Sequence, residues 1–345
     1  SKSKFIFQSL SNIFESKELV NSNHKLITDH IQKKINYSGF TFDQKRWEVP
    51  NLIRCKSNNL FYYPFESDFW RSMVYIDRTF SLYSLQDENI AYETGIGLAK
   101  FHSICSDLDS YKLEKSIKNF HNTKYYIDQY ITTIKNYDFT KSDRNVNKRI
   151  IDLNAFIYKQ IGYVDNLLNF LSTRLTNQNV IHGDPKLSNF LFDIKYKYVV
   201  SLIDLDSVSS GYLLTDLADC IRSICNLAGE DPSNIDSVSF DIKAFMYFLN
   251  GYLAISEKNI NYSFIYLLEF VYLITFELTI RFLTDFLQSN IYFKIEYDTH
   301  NLYRAEVQYR LLYSFIIQMP VLSKELHEIG FSPCSTFVSD VQKFV

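Results

Sequence analysis

Apolar positions change their period about a quarter of the way along the chain. In the opening stretch they come as short runs. Phe5 to Phe7 reads as a strand, and from Ser16 to Lys34 the residues Leu19, Val20, Leu26, Ile27 and Ile31 recur at helical spacing. Asn51 to Tyr63 predicts strand, turn and strand, with Ser57, Asn58 and Asn59 as the turn, and Trp70 to Ile76 predicts a further strand. Long helical periods follow. They predict helices over Glu88–Ser103, Asn122–Tyr137, Val146–Thr173, Thr215–Leu227, Phe240–Ser256, Tyr262–Leu287 and Asn301–Gln318. In the first of these Tyr92, Ile96, Ala99 and Phe101 lie on or near one face. Gly95 and Gly97 there allow close approach of a neighbour, at a propensity cost near ~1 kcal/mol each. One β-rich island, Val180 to Val208, interrupts the helices. The expected fold is therefore α+β in two lobes. A small α/β amino-terminal lobe covers residues 1–80, a large, mainly helical carboxyl-terminal lobe covers 81–345, and Ser81 to Asp87 is the hinge.

Composition narrows the class. Aromatic residues make up 17% of the chain, with 29 Phe and 26 Tyr, which excludes a disordered protein. A net charge of -3 offers no basic surface for nucleic acid. The five cysteines form no C-x-x-C pair and no even set, so a reducing cytoplasm is the expected compartment. The first ten residues lack the apolar core of a signal peptide. Tyr262 to Ile280 is apolar enough in length to span a bilayer, but Glu269 and Glu277 interrupt it. A buried helix is the expectation there, with no membrane contact.

Chemistry concentrates between His182 and Asp206. His182-Gly183-Asp184-Pro185-Lys186-Leu187-Ser188-Asn189 precedes a strand (Phe190 to Phe192), a polar turn, and a second strand (Val199 to Ile203) that ends in Asp204-Leu205-Asp206. Phosphoryl transfer needs a carboxylate for the attacking hydroxyl, oxygen ligands for Mg²⁺, and cations or amides to offset developing charge. Asp184 is the candidate base. Asn189 can return across the loop to a metal, and Asp204 can chelate Mg²⁺. Lys186 can place a charge near the transferred group. If the strand persists, Asp204 and Asp206 share a face while Leu205 enters the core, and two such carboxylates call for a cation. Asp216 and Asp219 suit the first turn of the next helix, with Thr215 as N-cap and Asp216 bracing the loop. His102 reads as a buried, satisfied histidine.

The spacing H-G-D-x-x-x-x-N, a hairpin and then apolar-Ile-Asp resembles the aminoglycoside phosphotransferase/choline kinase superfamily, which has a two-lobed protein-kinase-like fold. Several segments are similar more narrowly to N-acetylhexosamine 1-kinases: FIFQSLSNIFESKELV, Trp70-Arg71, FHNT at Phe120 to Thr123, LIDLDSVSSGYLLTDLADCIRS, RFLTDFLQSNIYFK and NLYRAEVQ. The resemblance runs over nearly the whole chain. It implies ATP and Mg²⁺ as cofactors and a small-molecule acceptor, an amino sugar. Asp184 would activate an anomeric hydroxyl, Asn189 and Asp204 would hold Mg²⁺ with Asp206 nearby, and Arg281 and Tyr292 would lie near the sugar. The adenine would meet backbone groups around Val74, Tyr75 and Ile76. On its residues alone, Arg281 is equally an i,i+4 partner of Glu277.

The chain departs from the family pattern at its start. It opens at what resembles the third strand, so the amino-terminal lobe is expected to be truncated by a phosphate-covering hairpin. Gln8 stands roughly where a kinase lysine is expected, with Lys2 and Lys4 slightly earlier. Asn21 falls where the sugar kinases tend to have an acid. Other readings are a kinase of the same fold acting on an aminoglycoside, choline or homoserine, and a nucleotide-binding pseudokinase. An antibiotic kinase would line its site with acids, and Glu230, Asp231, Asp236 and Asp241 form an acidic run that a solvated loop also explains. Nothing in the sequence sets the oligomeric state.

Overall fold

The computed structural model describes residues 4–37, 45–66, 68–256 and 264–344. Contacts divide the chain into two compact units. The first is Ser1–Phe120, Asn177–Asp216 and Tyr247–Glu257, and the second is His121–Thr176, Leu217–Met246 and Lys258–Val345. The span Ser81 to Asp87, expected as a hinge, lies inside the first unit.

The first unit opens with β1 (Phe5–Ser9), α1 (Lys17–Tyr37), β2 (Tyr63–Phe65) and β3 (Asp68–Val74), close to the expected places. The antiparallel sheet has the order β1-β3-β2. Phe69, Arg71 and Met73 of β3 are buried while Asp68, Trp70 and Val74 are exposed, as strand alternation requires. The strand, turn and strand expected over Asn51–Tyr63 form in part. The turn is present, closed where Cys55 N–H donates to the Leu60 carbonyl, and beyond that bond no pairing of the two arms occurs among the described residues. Instead Leu52 bridges Met73 and β2 pairs with Asp68–Trp70, so both arms lie end to end along one edge of β3.

Next come β4 (Thr79–Phe80) and α2 (Glu88–Cys105), whose N-cap Asp87 accepts the Ile90 amide hydrogen at 2.9 Å. Most of α2 is buried, on more than the one face its periodicity suggests. Gly95 explains part of this. A Cβ there would stand 2.0 Å from the Phe248 carbonyl oxygen, so only glycine lets the Tyr247–Glu257 segment lie so close. The island supplies β5 (Asn179–Ile181), β6 (Phe190–Asp193), β7 (Val199–Leu202) and β8 (Ser209–Gly211), paired as β4-β6-β7 and β5-β8.

The second unit is built on α3 (Thr123–Lys135), α4 (Arg144–Ser172), α7 (Leu267–Leu287), α8 (His300–Glu328) and α9 (Ser335–Val341). Two further helices, α5 (Leu213–Ile224) and α6 (Ile242–Ile255), contribute residues to both units. Thr215 lies within the first turn of α5 and is not its cap. Helix α8 runs ten residues past the expected end at Gln318, through Pro320, because Met319, Leu322 and Leu326 continue its buried stripe. Helix α7 begins at Leu267, and Tyr262 lies outside the described residues. No helix among the described residues is long and apolar enough to cross a membrane. All five cysteines are free thiols. The chain thus has a mixed α and β fold, with a small sheet-bearing amino-terminal part and a helical carboxyl-terminal part.

Candidate active site

The loop between β5 and β6 is held from beneath by one carboxylate. Asp216, fully buried in the first turn of α5, accepts the His182 amide hydrogen at 2.6 Å and that of Gly183 at 2.8 Å. His102 Nε2 lies 2.9 Å from the same carboxylate, and its Nδ1 lies 2.9 Å from the Tyr252 hydroxyl. Burial alone would raise the Asp216 pKa, but the hydrogen bond and charge of His102 outweigh it and hold the group below its ordinary value. Both expectations, a bracing Asp216 and a satisfied His102, match these contacts.

Gly183 has a φ of +86°, and a Cβ there would fall 2.7 Å from the Ser207 carbonyl oxygen, so the loop needs glycine at this point. His182 Nε2 donates to the Ile203 carbonyl at 2.9 Å, which leaves Nδ1 to accept the Asp184 amide hydrogen at 3.3 Å. The ring thereby ties the backbone of the candidate base to the end of β7. The Asp184 side chain stays one-third exposed, with Oδ2 at 3.2 Å from Lys186 Nζ. Asn189 Nδ2 donates to the Asp184 carbonyl at 2.8 Å, so its Oδ1 is the atom suited to a metal.

One expectation fails on β7. The strand ends at Leu202, Asp204 adopts a left-handed backbone (φ 64°), and Leu205–Ser207 forms a 3-10 turn, so the two aspartates do not alternate along a strand. Leu205 does enter the core. The carboxylates nonetheless feel one another: burial first, then the charge of Asp206, raise the Asp204 pKa above its ordinary value. A left-handed non-glycine residue stores strain that the surrounding contacts must hold, and such positions concentrate at functional sites. Asp206 is engaged by Arg71, whose guanidinium forms a buried ion pair with its Oδ1.

Val74, Tyr75, Ile76, Arg71, Asn189 and Asp204 line one cavity of about 460 Å³, within the range for a small-molecule site. The structure therefore brings the expected nucleotide residues together with two of the expected metal ligands. It also narrows the expectation for the backbone. The Val74 amide donates to the Asn51 carbonyl and the Tyr75 amide to the Lys4 carbonyl, so these two donors hold the chain itself. Arg71 went unassigned in the sequence except within the Trp70-Arg71 resemblance. The available signal was its register: an arginine stood where alternation between Phe69 and Met73 calls for an apolar side chain.

Arg281 and Tyr292 lie in the second unit, where they meet: Arg281 Nη2 is 3.5 Å from the Tyr292 hydroxyl. The i,i+4 pair is also present, with Glu277 Oε1 at 3.7 Å. The guanidinium carbon sits 4.8 Å from the Tyr126 ring centre, 5.6 Å from that of Phe293 and 5.7 Å from that of Tyr292. Glu277 accepts the Thr123 hydroxyl at 2.7 Å and meets His121 at 3.3 Å. Burial would raise the Glu277 pKa, but His121, Arg281 and Thr123 together lower it. Asp285 accepts the amide hydrogens of Tyr292 (2.7 Å) and Phe293 (2.9 Å) and one from Asn301 Nδ2 (2.9 Å). The RFLTD and NLYRAE segments are thus joined at Asp285.

The sequence model of the phosphotransferase enzyme family (APH) matches residues 76–235, the stretch that holds the loop, Asp204 and Asp216. The fold is that of small-molecule kinases. An aminoglycoside phosphotransferase from Alicyclobacillus acidocaldarius subsp. acidocaldarius DSM 446 superposes with a TM-score of 0.60 at 14% identity, over 94% of this chain and 88% of that one. The amicoumacin kinase hAmiN, solved in complex with AMP-PNP, Ca²⁺ and Ami, gives 0.55 at 10% identity, over 89% and 82%. A choline kinase from Cryptosporidium parvum Iowa II gives 0.53 at 13% identity, over 97% and 86%. The family match supports an enzyme that phosphorylates an alcohol group.

Proposed function

We propose that the protein is a Mg²⁺- and ATP-dependent kinase of the cytoplasm that phosphorylates the anomeric hydroxyl of an N-acetylhexosamine. The observation that carries the kinase reading is the loop itself: one-third-exposed Asp184 beside Lys186, with Asn189 and Asp204 facing one cavity. Asp184 takes the proton of the attacking hydroxyl as its oxygen bonds to the γ-phosphorus, and the bond from that phosphorus to the β,γ-bridging oxygen breaks to release ADP. Asn189 Oδ1 and Asp204 fit a hard divalent cation. Bound Mg²⁺ would neutralise phosphate charge. Lys186 steadies Asp184 and stands ready for the transferred group.

Arg281 supports the choice of acceptor if it serves the acceptor in this reading. Its guanidinium covers the faces of Tyr126, Tyr292 and Phe293, an arrangement that repels a quaternary ammonium and suits a neutral hydroxylated ring. The acidic run supports the same choice. Glu230 pairs with Arg222, Asp231 with His300 and Arg304, Asp236 with Arg310, and Asp241 caps α6 at Ala244. These acids are occupied within the chain, which weighs against a polycationic drug as substrate. Assigning residues 1–80 to the nucleotide and 81–345 to the loop and acceptor belongs to this reading. ADP release should be measured with N-acetylhexosamines, choline, homoserine and kanamycin, and the product identified by phosphorus NMR. Turnover of choline or kanamycin but of no sugar overturns the acceptor assignment, and turnover of none of them overturns the kinase reading.

A further inference from the structure

Among the described residues no lysine lines the cavity that Gln8 lines, yet a cation reaches it from the neighbouring strand. Gln8 of β1 and Arg71 of β3 are direct partners in the antiparallel register and so project to the same face. Arg71 is buried, and its guanidinium is accounted for atom by atom. Nε donates to Gln8 Oε1 at 3.0 Å, and Nη2 donates to the same oxygen at 2.6 Å and to Asp206. That uses three of the five guanidinium hydrogens. Nη1 keeps two and has no hydrogen-bond partner among the described residues, although it is shut off from solvent. A buried donor left in that state costs about 1–3 kcal/mol, so a partner is expected when the site is in use. Arg71 lines the cavity that Asn189 and Asp204 also line.

Helix α1 offers no acid to this cation. Asn21 is buried with both amide atoms unpartnered among the described residues. His24, which also lines the cavity, donates from Nε2 to the Pro50 carbonyl at 2.7 Å, and burial with the charge of Arg71 lowers its pKa to about 3. The counter-ion of Arg71 is therefore Asp206, from the far end of the catalytic hairpin.

We propose that Arg71 is the phosphate-binding cation of this protein, with Nη1 donating to a non-bridging oxygen of the nucleotide while Gln8 and Asp206 hold the rest of the guanidinium in place. This rests on the ATP-kinase reading above. It makes the Arg71–Asp206 pair the substitute for a lysine and helix-borne acid.

The test is binding without turnover. Calorimetry of the full chain with adenosine, AMP, ADP and ATP should show wild-type affinity rising at least ~10-fold from adenosine to ATP, which is about 1.4 kcal/mol. Arg71→Met should lose that rise while keeping its adenosine affinity. If Arg71→Met does not fold, two further variants decide. Arg71→Lys should keep part of the rise, and the double variant Gln8→Lys/Arg71→Met, with the cation moved to the neighbouring strand, should restore it. An ATP-over-adenosine preference unchanged in every folded Arg71 variant overturns the inference and leaves the kinase reading standing. Wild-type protein that binds no nucleotide overturns both.

Discussion

Asp216 Oδ1 accepts the amide hydrogen of Gly183 at 2.8 Å across 33 positions of chain. Together with the bond from His182, this makes one buried carboxylate the support of the backbone from which Asp184 projects.

Replacing Asp216 with Ala leaves two amide hydrogens and His102 without their acceptor. Breaking a buried charged network of this kind costs about 3–5 kcal/mol, to be read from urea unfolding. The pH dependence has a definite sign. Because the folded-state pKa is lowered, the stabilisation is full above the unfolded value near ~3.9 and is lost as the pH falls through the folded value. Asp216→Asn should therefore unfold with a shallower acid limb than the wild type.

Asp184 and Asp204 should separate chemistry from metal binding. Asp184→Asn is expected to lower phosphoryl transfer by roughly 10²–10⁴-fold with ATP affinity retained. Asp204→Asn should instead weaken Mg²⁺-dependent ATP binding, and raising Mg²⁺ should recover part of the rate. Identical titration curves for the two variants would break this division of labour.

Glu269 is fully buried in α7, and neither carboxylate oxygen has a hydrogen-bond partner among the described residues. Burial pushes its pKa up to about 8. Between the unfolded value, roughly 4.3, and 8 the folded protein holds a proton that the unfolded chain has lost. Stability should accordingly fall as the pH rises through that window, by up to about 1.4 kcal/mol per pH unit, and level off above it. Glu269→Gln should flatten the curve and be the more stable protein at pH ~9. Thermal unfolding from pH 5 to 9 measures both.

For Arg281, a role toward the acceptor and a role only in the fold diverge in kinetics. Arg281→Lys keeps the charge near Glu277 but gives up the planar contacts with Tyr126 and Phe293. The KM for the proposed sugar acceptor should rise about 10-fold or more, with the KM for ATP unchanged. Glu277→Gln should move the sugar KM in the same direction by loosening the arginine.

Much of the fold was legible because its signals are local. The period of α1, α2, α3 and α4, the hairpin of β6 and β7, and the spacing from His182 to Asn189 are properties of short stretches, and they appear within a few residues of their expected places. The ends of elements were less legible, since a helix such as α8 crosses Pro320 only when its far stripe is buried. The two arms expected over Asn51–Tyr63 took another partner for a related reason. Each arm had strand character, but the free edge of β3 was available to both.

The sequence by itself determined which residues are candidates for chemistry: a carboxylate suited to act as base, a neutral amide and a carboxylate suited to a metal, and a lysine at loop spacing. Tertiary structure alone decided how they are held. The Asp216 brace and the pairing of Arg71 with Gln8 and Asp206 join positions far apart in the chain. Their physical cause is burial, which makes it costly for a polar group that leaves water to stay without a partner.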